Sequence, residues 1–102
     1  MDKYVLDKDG RTPVACELMT WAQAFETRKG SVDPWRVAST TILDSVHVST
    51  VFLGLDHQYG DGPPLLFETM IFGGDLDGWQ DRYSTWEEAE AGHAKAVAIA
   101  GG

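Results

Sequence analysis

The chain has one cysteine, Cys16, so no intramolecular disulfide can form, and the disulfide-stapled class of small secreted domains is excluded. Long apolar runs are also missing. No stretch approaches the roughly 20 residues that a membrane-crossing helix requires. The opening Tyr4-Val5-Leu6 run breaks at Asp7, too early for the apolar segment of a secretory signal. A reducing, cytoplasmic setting is the simplest expectation. Positive charge is scarce: 8 Lys and Arg stand against 16 Asp and Glu. The imbalance is local, since residues 54–102 hold nine acids but only Arg82 and Lys95 as bases. A surface that displaces counterions from nucleic acid needs a basic stripe, and none is present. Nucleic acid and membrane are therefore excluded as partners, whereas a basic protein surface suits this acidic half.

Against these absences stand four Trp, four Phe and three Tyr in 102 residues, enough bulk for one core and too little chain for two. A single domain over 1–102 is expected. Its fold class reads as α+β: a small, mostly antiparallel sheet of four to six strands with two helices, at about 17–28 and 85–99. Tyr4–Leu6 and Pro13–Ala15 flank an Asp-Gly turn and read as an opening hairpin. Leu18, Trp21, Ala22 and Phe25 recur at helical spacing, Arg28 and Lys29 suit the end of that helix, and Gly30 stops it. A loop follows over Ser31 to Pro34.

Strands follow at Arg36–Leu43, Val46–Leu53 and Leu65–Phe72, with a short edge strand from Trp79 to Tyr83. Asp44-Ser45 is expected to turn the first pair. The connection from Gly54 to Pro64 carries three Gly and two Pro and is long for a hairpin, a length that often accompanies function. Alternation puts Val46, Val48, Thr50 and Phe52 on one side of their strand and His47, Ser49, Val51 and Leu53 on the other. The next strand sets Leu65, Phe67, Thr69 and Ile71 against Leu66, Glu68, Met70 and Phe72. Apolar side chains on both faces ask for cover on both, helices on one and a second subunit on the other, so a homo-oligomer is expected. Ser84 with Glu87, or Thr85 with Glu88, forms a capping box for the last helix. Its apolar stripe is Trp86, Ala89, His93, Ala96, Val97 and Ala100.

Candidate chemistry is thin. Asp56, His57 and Asp61 are metal-ligand types in one loop, but their spacing matches no structural metal motif. Asp75-x-Asp77-Gly78 resembles the start of a calcium loop, yet its twelfth position is Trp86 where a bidentate Glu belongs. Ser49, Thr50, Cys16 and the histidines carry no nucleophile signature. The last helix offers backbone amides at its start, with Arg82 just upstream, a pairing that suits a phosphate or a carboxylate. The plainer reading is an arginine bridging Asp81, Glu87 or Glu88 on the surface.

The run Val48-Ser49-Thr50-Val51-Phe52-Leu53-Gly54-Leu55-Asp56-His57 resembles a pattern found in small proteins of bacteriophages and prophages. The resemblance continues through Pro63-Pro64-Leu65-Leu66-Phe67-Glu68-Thr69-Met70-Ile71-Phe72-Gly73-Gly74 and Asp81-Arg82-Tyr83-Ser84-Thr85-Trp86-Glu87-Glu88-Ala89 to Gly92-His93, covering about half of the chain. In size and strand–strand–helix order the chain is also similar to phage anti-defence sponges of the anti-Thoeris type. Those proteins oligomerise and sequester nucleotide signals such as cyclised ADP-ribose.

These resemblances imply a non-enzymatic accessory protein without a cofactor, acting in the bacterial host cytoplasm and capturing a nucleotide-like ligand at an oligomer interface. In that reading Arg36 and Arg82 hold phosphate, Thr85 adds the helix cap, Tyr59 and Phe72 stack a base, and His57 lines the mouth. The alternative is an acidic, DNA-mimic-like inhibitor of a host defence protein, presenting Asp75, Asp77, Asp81 and Glu87. A small hydrolase or a metal-binding protein stands third.

Overall fold

Strict alternation along the middle of the chain produces an antiparallel meander. In the computed structural model, which describes residues 2–27, 33–58 and 60–101, β1 (Lys3–Leu6) and β2 (Pro13–Cys16) form a hairpin that leads into α1 (Leu18–Thr27). There follow β3 (Arg36–Ile42), β4 (Val46–Phe52), β5 (Phe67–Phe72), β6 (Gln80–Tyr83) and α2 (Trp86–Gly101). The last four strands make one sheet in the order β3-β4-β5-β6, every pair antiparallel. The fold is α+β, with strand and helix positions within a few residues of those expected. Arg28, Lys29 and Gly30, expected to end the first helix, lie outside the described residues, as do Ser31 and Val32.

The inward side chains of the sheet follow from the period of two. Val48, Thr50 and Phe52 on β4 and Phe67, Thr69 and Ile71 on β5 are buried, and α2 packs across all four strands on this face. Ala89, Gly92, His93 and Ala96 form the buried stripe of α2. Gly92 belongs there because the Tyr83 phenol lies where a Cβ would be. Two apolar clusters result. One joins Trp35, Phe52, Leu66, Phe67 and Ala89, flanked by Trp21, Phe25 and Trp86. The other joins Val48, Ile71 and Ala96. Trp35, only 4% exposed, sits edge-on to Phe52 with centroids 5.1 Å apart. Asp33 positions it by accepting from the Trp35 amide at 2.9 Å.

Leu18 departs from the expected apolar face of α1: it is 59% exposed. The helix reaches the core through Trp21, Ala24 and Phe25 instead. The β3–β4 turn also differs from Asp44-Ser45. Its central residues are Leu43 and Asp44, both with positive φ, at 50° and 61°, and the Ser45 amide donates to the Ile42 carbonyl at 3.2 Å. Left-handed backbone at both centres matches the twist of the strands it joins, but it is unfavourable for leucine. The start of the long Gly54–Pro64 connection is tied down. Tyr4 N donates to Gly54 O at 2.8 Å and Asp56 N to Asp2 O at 3.0 Å, so the segment joins the β1–β2 hairpin to the sheet.

The capping box at the start of α2 is the Thr85–Glu88 one. Thr85 Oγ1 accepts from the Glu88 amide at 3.1 Å, and Glu88 Oε1 accepts from the Thr85 and Ser84 amides at 3.1 and 3.2 Å. Loss of the cap should accordingly follow position 85: Thr85→Ala is expected to cost about 1 kcal/mol and Ser84→Ala a few tenths at most, read from urea midpoints. No helix among the described residues is long and apolar enough to cross a membrane.

Candidate functional site

Among the described residues no helix packs on the outer face of the sheet. By register it presents Ser39 and Thr41 on β3, His47, Ser49 and Val51 on β4, Glu68, Met70 and Phe72 on β5, and Gln80 and Arg82 on β6. It is a mixed face, in which apolar side chains stand among polar ones. The case for self-association therefore rests on Val51, Met70 and the 47%-exposed Phe72. Light scattering coupled to size exclusion checks it. A mass of at least twice 11.2 kDa is expected at micromolar concentration, and a monomer would remove the case.

Among the described residues, those expected to capture a ligand lie at separate places within one copy of the chain. Arg36, Val51, Glu68 and Arg82 lie in one row across the outer face, but Arg82 Nε donates to Glu68 Oε2 at 2.9 Å. The partner of Arg82 is thus its cross-strand neighbour, not Asp81, Glu87 or Glu88. Phe72 sits in the His47 row near the other end of the strands, with ring centroids 6.5 Å apart. Thr85 is on the α2 side of the sheet, its hydroxyl spent on the cap. His57 is held in the long loop, its amide donating to Leu65 O at 3.1 Å. Tyr59 lies outside the described residues. At the start of α2 the Glu88 amide is met by Thr85, and the Glu88 carboxylate, held by the Ser84 and Thr85 amides, stands at that terminus and suits it poorly to an anion.

Two imidazole clusters were not foreseen. On the outer face His47 stands between hydroxyls, with Nε2 3.2 Å from Ser39 Oγ and Nδ1 3.1 Å from Thr41 Oγ1. A serine within reach of an imidazole has the form of a nucleophile and base. The flat, open sheet face excludes water poorly, however, and reactive sites of this kind depend on that exclusion.

The second cluster is internal. His93 Nδ1 is 2.7 Å from Thr50 Oγ1, its Nε2 is 2.9 Å from Thr40 Oγ1, and Thr50 Oγ1 is 2.5 Å from Thr69 Oγ1. Burial, helped by the nearby His47, pushes the His93 pKa down. A neutral imidazole can donate from one nitrogen and accept at the other, which suits a ring held between two hydroxyls. Beside it, burial raises the Tyr83 phenol above its ordinary range. Thr69 lies near enough to oppose that rise, but the Tyr83 hydroxyl makes no hydrogen bond of acceptable geometry among the described residues. The cluster fastens α2 to the sheet.

The remaining candidates resolve into structural roles. Asp56 Oδ1 accepts from the Gln58 and Leu65 amides at 2.8 and 3.1 Å, tying its own loop. Among the described residues no group of three His, Cys, Asp or Glu is gathered as a metal site needs. Asp77 Oδ1 accepts from Gly73 N at 2.7 Å and so stitches the β5–β6 connection. Cys16 is half-buried, and burial raises its thiol pKa, outweighing Lys3 nearby. A thiol so held is a poor nucleophile.

The most distinctive surface is one end of the fold. There the β3–β4 turn, the β5–β6 connection and the last turn of α2 meet around a cleft of about 310 Å³. Gly73, with φ 87°, permits the meeting, since a side chain there would strike the Ser45 carbonyl. This end carries Leu43, 90% exposed, with Phe72 and Ile99, and the acids Asp44, Asp75 and Asp77. Asp81 lies on the β6 edge strand, and Glu87 is in the first turn of α2, at the far end of that helix. Sequence reasoning named Asp75 and Asp77, and Phe72 in another role, but not Leu43, Ile99 or the cleft.

The architecture defines a small antiparallel meander backed by one long helix, a scaffold whose exposed end mixes acids with apolar side chains. Comparison with known proteins finds no family model, no curated protein and no solved structure that matches the chain.

Proposed function

We propose that the chain is a non-enzymatic binding protein that docks on a basic surface of another protein through the end formed by the β3–β4 turn, the β5–β6 connection and the end of α2. The single observation that carries this reading is the gathering there of Leu43, Phe72 and Ile99 with Asp44, Asp75 and Asp77. Exposed apolar anchors with charge of one sign are the makings of a specific interface: the anchors supply affinity, and the field supplies orientation and rate. Leu43 held in an unfavourable backbone conformation adds to the case, since such strain concentrates at functional positions. In the setting that the phage resemblance implies, the partner is a bacterial defence protein met in the host cytoplasm.

Capture from bacterial lysate on the immobilised chain tests the reading, with the partner identified by mass spectrometry. One protein should be retained at low salt and released as salt rises, and Asp75→Lys together with Asp81→Lys should abolish its retention. Asp77 is left intact because its carboxylate holds the loop. Retention that ignores both salt and charge reversal would sink the proposal.

A second reading, capture of a nucleotide-like signal by an oligomer, draws on the shared row of Arg36 and Arg82. It requires Arg82 to give up Glu68. Under it Arg82→Ala abolishes capture, whereas protein docking leaves that variant active.

A further inference from the structure

We infer that the cleft at the end of α2 receives a basic side chain, a guanidinium or an alkylammonium, from the docked protein. This deepens the protein-docking reading and rests on it. The cleft has an apolar floor of Val46, Ile71, Leu76 and Ile99, with Asp75 in its wall. Its remaining side is the last turn of α2, ending at Gly101. Asp75 thus lines a space whose other lining side chains are aliphatic. The chemical complement is a cation on an aliphatic stem, which is the shape of arginine and lysine.

Size and charge narrow the occupant further. A volume of about 310 Å³ lies at the small end of the roughly 300–1,000 Å³ range of ligand sites, room for a side chain more than for a nucleotide. An anionic ligand would meet Asp75, and the nearest base along the helix, Lys95, is exposed and does not line the cleft. The chain's net charge of −8 draws the same class of partner from a distance.

Small probes test the cleft without the partner. The full chain, isotopically labelled, is titrated by NMR at low salt with n-butylguanidinium chloride, n-butylammonium chloride and, as the neutral comparator, n-butanol. Saturating amide shifts are expected at Gly73, Gly74, Leu76, Ile99 and Gly101 with the two cations, and much weaker ones with butanol. Asp75 is exposed, so Asp75→Asn should keep the fold's spectrum while weakening cation binding about three- to fivefold. Equal response to butanol, non-saturating shifts spread over the surface acids, or an unchanged affinity in Asp75→Asn would each overturn the inference. If the probes bypass the cleft while lysate capture still depends on Asp75 and Asp81, the cleft falls and the docking reading stands. If the cations fill the cleft but capture ignores those acids, the cation site stands and the docking reading falls.

Discussion

Replacing Phe67 by alanine should destabilise the protein by about 3–5 kcal/mol, the largest effect expected of any single substitution. Phe67 has no exposed surface. Its ring lies 5.3 Å from Phe52 and 6.2 Å edge-on from Trp86, so it joins the sheet to α2. Truncation loses the burial of the ring and leaves a cavity that the close-packed neighbours, Phe52 and Leu66 among them, only partly fill. Domains of this size are stable by about 5–15 kcal/mol, and each kcal/mol is worth about 4–8 °C in Tm. A drop in Tm of at least about 12 °C is therefore expected by calorimetry or circular dichroism. Phe72→Ala is the contrast: the same chemical change at a 47%-exposed site should shift stability by no more than about 0.5 kcal/mol. Equal effects of the two would show that β5 has been given the wrong face.

The second large effect concerns His93. Its ring serves both Thr40 and Thr50, and Thr50 in turn meets Thr69. His93→Leu keeps much of the volume but takes the imidazole from the half-buried Thr40 hydroxyl and leaves the buried Thr50 hydroxyl with Thr69 alone, at roughly 1–3 kcal/mol for a hydroxyl left unsatisfied. Acid should act at the same place. Burial first, and His47 second, hold the folded pKa of His93 below its ordinary value near 6.5, so the unfolded chain binds the proton more readily. The contribution is fully present above about pH 6.5 and is lost as pH falls through the depressed folded value. Urea unfolding at neutral pH and about one to two units lower checks it. The wild type should lose more stability over that interval than His93→Leu, and identical losses would show that His93 does not titrate on unfolding.

Much of the fold was legible because it depends on local periodicity. The period of two in β4 and β5 grouped Val48, Thr50 and Phe52 on one side and Phe67, Thr69 and Ile71 on one side, the sides that are buried, and the stripe of α2 held through Ala89, His93 and Ala96. What escaped depends on residues far apart in sequence. Trp35 follows Asp33-Pro34 in a turn, with no repeat around it to mark burial. Gly92 is needed only because β6 delivers Tyr83 onto α2. The Glu68–Arg82 pair depends on the β5–β6 register, which the strands' own residues do not state. The chain from Thr40 through His93 to Thr69 spans three strands and a helix.

The site was legible only as charge. Asp75 and Asp77 stood out in an acidic half, but exposed Leu43 and the cleft lined by Ile99 emerge only when three chain segments meet. Conversely, a long Gly- and Pro-rich connection suggested function, and its backbone is engaged by the opening hairpin.

The central claim, docking on a basic protein surface, is tested most directly by association kinetics of the captured partner across ionic strength. Exposed charges more than about 10 Å apart are screened at 0.1 M salt, so a steered encounter slows steeply as salt is added. The account predicts a wild-type association rate that falls with salt, and a slower, flatter profile for Asp75→Lys with Asp81→Lys. Arg82→Ala should associate as fast as the wild type or faster, because it removes a cation from the acidic half. A salt-independent wild-type rate, or loss of binding in Arg82→Ala with the fold intact, would contradict it.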